Sequence, residues 1–422
     1  MLTRRGLMRA ALASAAVPIL ADTPPIARLK SRKAEARPIP NAERLARVER
    51  ARGLMRENHL DAIALGGGSS LVYFSGIRWG VSERLFLMIL PAAGEPFFVS
   101  PGFEQGRALE QIGGGPFPTA RILTWEEDVS PFPVVAKALA DRKLTTARIG
   151  VEERMPFVFA DGIGKALPAA MMVSATPVTA GCRMIKSANE LALMHLANQV
   201  TLEAFEAAWK SVRDGMTAHE FAAAIAAAHQ GLGFDGEADV FVGEGAALPH
   251  GSRRPQAIRE NSLVLIDGGC QVEGYHSDIT RTFVYGKATD KMKRVFDIVR
   301  QAQSAALAAA RPGVRCESVD KAARQVITAA GYGPGYKYFT HRIGHGIGLD
   351  EHEWPYLTAA NTLQKDGQGI ALAPDMTFSD EPGIYIPGEF GIRLEDDMHI
   401  LEGRAELFTA QSTSLEAPFG NR

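Results

Sequence analysis

The chain is poor in cysteine. It has three among 422 residues and no Cys-x-x-Cys pair, which excludes a disulfide framework and supplies no zinc-knuckle spacing. Charge of neither sign is in excess. Lys and Arg number 46 against 48 Asp and Glu, whereas a nucleic-acid binder usually carries a strong basic surplus. No apolar run reaches 18 residues, so the sequence offers no ordinary membrane span. Hydrophobic residues are ample at 46%, with charged residues at 22%. That balance excludes wholesale disorder, and the length suggests two or three domains.

The first residues, MLTRRGLMRAALASAAVPILA, read as an address. Arg4 and Arg5 form a twin-arginine pair, and an Ala-rich, mildly apolar run from Ala10 to Ala21 follows. This is the pattern of a twin-arginine (Tat) export signal. The expectation is a leader within residues 1–30, export of an already folded protein to the periplasm, and no stable membrane anchor. Cys182, Cys270 and Cys316 are then expected as free thiols.

From Asn41 to about residue 183 helical and strand-like segments alternate. ERLARVERARGLMRENHL has helical period, while DAIALGGG, LFLMILP and PFFVSP are short apolar runs bounded by Gly or Pro. Such alternation predicts an α/β domain with a covered sheet. The GGGSS at 66–70 lacks GxGxxG spacing and is read as a loop. From residue 184 to 422 the texture changes. Lys186–Val212 predicts a long helix, and Thr217 with Glu220 forms a capping box that opens a second. Strands follow, then helices near 290–310 and 319–330, then Gly-rich strands. Two helices, strands, two helices, strands make a duplicated α+β layout.

Acids and histidines gather in the strand segments. In SLVLIDGGCQVEGYHSDITRTF an apolar run ends at Asp267, and Asp278 follows eleven residues later. If CQVEGY turns the chain, the two carboxylates face each other and repel unless a cation sits between them. HRIGHGIGLDEHE holds three of the ten histidines, and its glycines argue against helix. At period two His341 and His345 share a side, and His352 follows a turn. Glu381 is fixed by the turn pair Pro382-Gly383, and Arg393 and Glu395 share one face of GIRLEDD. A plain Arg393–Glu395 salt bridge is the simplest alternative there. Asp380, Asp396 and Asp397 are read as supporting or solvated groups. Four carboxylates and one imidazole suit two divalent ions, with manganese favoured and cobalt, iron or zinc as alternatives. Two such ions can share one hydroxide and polarise a carbonyl.

In these motifs the sequence from about residue 45 onward resembles the family of methionine aminopeptidases, Xaa-Pro aminopeptidases and prolidases. The resemblance implies an α+β fold. A C-terminal pita-bread domain, with a curved antiparallel sheet covered by helices, would span 184–422, and an N-terminal creatinase-like domain 41–183. It further implies that Asp267 chelates one ion, that His345 and Glu381 hold the other, and that Asp278 and Glu395 bridge them. His250 in AALPHG matches a substrate-contacting histidine of the proline-directed branch; His341, His352 and Arg393 also match active-site positions. Glu244-Gly245 departs from the small or amide residues common there. The implied activity is release of an N-terminal residue before proline by a metal-bridging hydroxide, with a prolidase or a small-molecule amide hydrolase or lyase as alternatives. In that scheme Glu381 shuttles a proton, and His250 and His352 donate hydrogen bonds to the reacting groups. His341 and Arg393 shape the proline side. The resemblance also implies a homodimer. Tyr73, Phe74 and Trp79 are expected in the core of the N-terminal domain, with a roof over the pocket as the alternative.

Overall fold

The computed structural model describes residues 24–359 and 369–420. Arg4, Arg5 and the Ala10–Ala21 run therefore lie outside the described residues. The end of the expected 1–30 leader does not. Ile26 and Leu29 pack against the core, and the Arg32 backbone N–H donates to the Leu232 carbonyl at 2.8 Å. Residues 24–30 thus pack against the folded body, through the half-buried side chains of Ile26 and Leu29.

The first domain alternates helices with strands of one mixed sheet. Helix α1 (Asn41–Glu57) leads to β1 (Ala62–Leu65), α2 (Ser69–Ser75), β2 (Leu87–Pro91) and β3 (Phe97–Pro101). Then come α3 (Gln105–Gly114), β4 (Arg121–Trp125), α4 (Phe132–Ala140), β5 (Arg148–Val151), α5 (Phe157–Ala166), β6 (Met171–Ser174) and α6 (Thr176–Arg183). The sheet order is β4-β3-β2-β1-β5-β6. Strands β1 to β3 are buried at every residue, which is why they read as continuous apolar runs and not as alternation. Gly66, Gly67 and Gly68 form a turn, but Ser69 and Ser70 already start α2. Tyr73, Phe74 and Trp79 sit in the core with at most 7% of their surface exposed. They form no roof over a pocket.

The second domain opens with α7 (Ala188–Trp209) and α8 (Ala218–Gly231), both closed at the N-terminus by capping boxes, on Ser187 and Thr217. Strands β7 (Gly236–Val242), β8 (Ser262–Val272), β9 (Tyr275–His276) and β10 (Ile279–Tyr285) follow, then α9 (Asp290–Ala309) and α10 (Cys316–Ala329). The chain ends in β11 (His345–Gly346), β12 (Glu353–Tyr356), β13 (Thr377–Asp380), β14 (Gly383–Ile386), β15 (Phe390–Arg393), β16 (Asp396–Ile400) and β17 (Ala405–Leu407). Every strand pairing among the described residues of this domain is antiparallel. A bridge between Thr280 and Glu395 ties the β10-β8-β7 ladder to the later strands.

Strand β8 shows how the core aims the site. Leu263 and Leu265 face the α9–α10 core, while Val264 and Ile266 face the α7–α8 core. Both faces are covered up to Ile266, and Asp267 is the first residue to emerge into a cavity. All three cysteines are buried, and no disulfide joins them. No helix among the described residues is long and apolar enough to cross a membrane.

Candidate metal centre

A cavity of about 600 Å³ opens where the two ladders meet. Its wall contains all nine residues singled out in the sequence: Asp267, Asp278, His345, Glu381 and Glu395, with His250, His341, His352 and Arg393. Three sets within it bring ligand atoms within 4.8 Å of one another. They are Asp267–Asp278–Glu395, His345–Glu381–Glu395 and Asp278–His345–His352. Asp267 lies within β8, Asp278 just before β10, Glu381 just after β13 and Glu395 between β15 and β16, so only the tertiary fold can assemble the group.

The details depart from a simple facing pair of aspartates. Asp267 lies opposite Thr280 in the β8–β10 register, and opposite Asp239 of β7 on its other side. Asp278 sits just ahead of β10, its backbone N–H donating to Asp397 at 3.0 Å. Arg393 makes its ion pair with Asp267 and not with Glu395. It also donates to the Tyr385 hydroxyl at 2.7 Å, the Thr280 hydroxyl at 3.1 Å and the Pro249 carbonyl at 3.2 Å. Thr280 Oγ1 stands 2.9 Å from Asp267 and 2.6 Å from Glu395. With one proton, that hydroxyl can satisfy one carboxylate at a time.

His345 is held in place from both ends. Its backbone N–H donates to Ser379 Oγ at 3.1 Å, and its Nδ1 lies 3.1 Å from the Gly346 carbonyl. That leaves Nε2 facing Glu381 at 3.5 Å and Asp278 at 3.8 Å. The chain here must run close to β13. A Cβ at Gly344 would overlap the Ser379 carbonyl oxygen, so glycine is required for this approach. The His352 ring stacks on His345 with centroids 3.7 Å apart. Both nitrogens of His341 are occupied, Nδ1 by the Arg342 carbonyl at 2.8 Å and Nε2 by the Tyr385 hydroxyl at 2.7 Å. His341 is therefore a brace for Tyr385 and keeps no free nitrogen for a substrate.

The electrostatics favour cations in this space. Burial, then the nearby Asp267 carboxylate, pushes Asp278 well above the usual carboxylate range. Glu395 is likewise raised by burial and by Asp278, and burial pushes Glu381 up to about 8. His345 is held well below its ordinary value by burial and by the adjacent His352, which leaves a neutral imidazole suited to ligation. Asp278 Oδ1 is buried with no hydrogen-bond partner among the described residues. An orphaned buried acceptor within a group of like charges is costly. The donor set, oxygen-rich with imidazole, fits divalent metal ions.

Asp380, Asp396 and Asp397 are fully buried and not solvated. Asp397 accepts from Asn198 of α7 at 2.9 Å as well as from the Asp278 backbone, so it orients the Asp278 turn. Asp396 pairs with Arg281 at 2.6 Å. Of the two readings left open, supporting or solvated, the structure favours the first, because strand pairing sandwiches all three acids. Thr280, Tyr385 and Asp239 were missed as site residues. Thr280 could have been found from strand alternation, two residues past Asp278.

The comparisons with known proteins agree with this geometry. The model for metallopeptidase family M24 matches residues 192–402, and that for the creatinase/prolidase N-terminal domain matches residues 47–185. A probable dipeptidase PepE of Mycobacterium tuberculosis is 36% identical over 353 residues, covering 82% of this chain and 89% of its own length. The chain belongs to metallopeptidase family M24. Two solved structures extend the likeness over both domains of this M24 peptidase. Dipeptidase PepE from Mycobacterium ulcerans superposes with a TM-score of 0.82 at 31% identity, covering 90% of this chain and 100% of that one. An Xaa-Pro dipeptidase from Bacillus anthracis gives 0.76 at 28% identity, covering 88% and 99%. The M24 chain is a metal-dependent peptidase, and its metal-ligating candidates all lie in the matched 192–402 region.

Proposed function

We propose that this M24 peptidase is an Xaa-Pro dipeptidase. This revises the preference for longer peptides that the motifs first suggested. The observation that carries it is the pairing of opposite charges in one small cavity. Asp239 and Glu351 line the same cavity of about 600 Å³ as Arg342. Arg342 has no carboxylate partner among the described residues; it lies over the Tyr356 ring and 3.5 Å from His352 Nδ1. A dipeptide carries an ammonium and a carboxylate only two residues apart, and both would find a counter-charge there. A longer peptide would lose the second. The dipeptidase names of the relatives support the same choice.

In this reading Asp267, Asp278, His345, Glu381 and Glu395 would hold two divalent ions. Such ions would lower the pKa of water and polarise a carbonyl. Manganese is the proposed metal. Glu381 is the carboxylate placed to take up a proton and pass it to the leaving imide nitrogen. His250 and His352, exposed at the mouth, donate hydrogen bonds to the developing oxyanion. Arg393 and His341 fix Asp267 and Tyr385 in the cavity wall. Proline's tertiary amide lacks an N–H, so recognition rests on the two termini of the substrate.

The test is a side-by-side assay of manganese-loaded protein on one Xaa-Pro dipeptide and one Xaa-Pro-Xaa tripeptide. Proline release from the dipeptide alone is expected. Preferential cleavage of the tripeptide would make it an aminopeptidase. Turnover of neither, with metal bound, would move the site to a non-peptide amide. The twin-arginine leader supports export to the periplasm; recovery of the protein only in the cytosolic fraction would overturn that.

A further inference from the structure

The loop after β11 carries Glu351 and His352 to the mouth of the cavity. Most of what holds this loop comes from the other domain. The Asp350 carboxylate accepts from Ser69 Oγ at 2.6 Å, Arg183 Nη2 at 2.6 Å and Arg154 Nη1 at 3.0 Å. Arg154 Nη2 donates to the His352 carbonyl oxygen at 2.7 Å. One residue before Arg154, Glu153 accepts from the Trp354 indole at 2.9 Å. The turn bearing Arg154 is itself anchored. Glu152 is buried, and its carboxylate accepts from the Arg154 backbone N–H at 2.8 Å and from Ser70 at 3.2 Å.

From its own domain His352 receives much less. Its imidazole is exposed, stacks on His345, and meets Arg342 only at 3.5 Å. A stack alone leaves a ring free to slide in its plane. The backbone must then be fixed from elsewhere if the ring nitrogens are to face a substrate. Arg154 spans both acceptors with one planar fork, which a lysine ammonium cannot do.

We propose that Arg154 is a positioning residue of the reaction: through Asp350 and the His352 carbonyl, the N-terminal domain sets the imidazole of His352 against the substrate. This rests on the dipeptidase reading, in which His352 donates to the reacting groups. The N-terminal domain is then a working part of the catalytic site.

The experiment uses the full chain loaded with manganese and an Xaa-Pro dipeptide. Arg154→Ala is expected to lower kcat about 10- to 100-fold, the scale of a small misplacement of a reacting group. KM, melting temperature and ion content should stay near those of the parent, since Arg154 is half exposed. Arg154→Lys should fall between the two. In a His352→Ala background the Arg154→Ala change should cost nothing further, because the group it positions is gone. An equal loss in both backgrounds would mean a general structural role and would overturn the proposal. A second readout does not depend on turnover. In zinc-loaded protein with ¹⁵N-labelled histidine, the His352 ring signals, assigned by their loss in His352→Ala, should shift in Arg154→Ala. Unshifted signals overturn the clamp. Shifted signals in a protein that cuts no Xaa-Pro peptide would sink the dipeptidase reading and leave the clamp standing.

Discussion

Glu395→Gln is expected to abolish metal loading and turnover while making the metal-free protein more stable. Glu395, like Asp278, belongs to two of the ligand sets, here Asp267–Asp278–Glu395 and His345–Glu381–Glu395. Its loss weakens both ion positions at once. Loss of a supporting partner around a metal costs roughly 10- to 100-fold in affinity or activity, and removal of a shared ligand should exceed that. The stability effect has the opposite sign. Glu395 is buried with its carboxyl raised by burial and by Asp278, Glu381 and Asp267. Without ions, an amide removes one member of that like-charge group and can still bond Thr280 Oγ1, now 2.6 Å from the carboxylate. Thermal melting of the chelator-treated pair should place the variant above the parent, and elemental analysis should find it depleted of metal. A variant that melts lower without metal would contradict the electrostatic account. One that keeps both ions would contradict the ligand assignment.

Arg281→Met should produce the largest loss of stability among single changes near the site. Arg281 and Asp396 are wholly inaccessible to solvent and pair at 2.6 Å. The same guanidinium donates to the carbonyl oxygens of Glu395 at 2.8 Å, Ala410 at 2.9 Å and Thr280 at 3.1 Å. It thus ties β10 to the strand that follows Glu395. Methionine fills similar volume but leaves the buried Asp396 carboxyl without its cation, with only Thr409 and Gln303 as side-chain donors among the described residues. Breaking a buried pair in this way costs about 3–5 kcal/mol. Denaturant unfolding of the second domain should show that shift. The double change Arg281→Met with Asp396→Leu should recover much of it, because the isolated charge is then removed. No recovery would mean that the carbonyl contacts carry the stability.

The five ligand candidates were legible because each stands where a local signal ends: Asp267 after four apolar residues, Glu381 before Pro-Gly, His345 among glycines. Chain-local chemistry marks such positions. The register between strands is not chain-local. Asp239, Thr280 and Asp397 join the centre only because β7, β8, β10, β13 and β16 pair as they do, and no spacing in the sequence encodes that pairing. The same holds for the Arg154–Asp350 contact, which spans 196 positions and two domains. The helices at 188–209 and 290–309 were legible as long helices, and the one at 218–231 from its Thr217–Glu220 capping box. The exact hold on His352 was not, because it depends on how the domains meet.

The central claim is that the acid and histidine cluster works as a two-ion centre. The most direct test strips the protein with a chelator and titrates manganese back, counting bound ions while following proline release from an Xaa-Pro dipeptide. The account predicts two ions per chain, with turnover absent at the start and restored as they bind. Full turnover by stripped protein that holds no ion would contradict it.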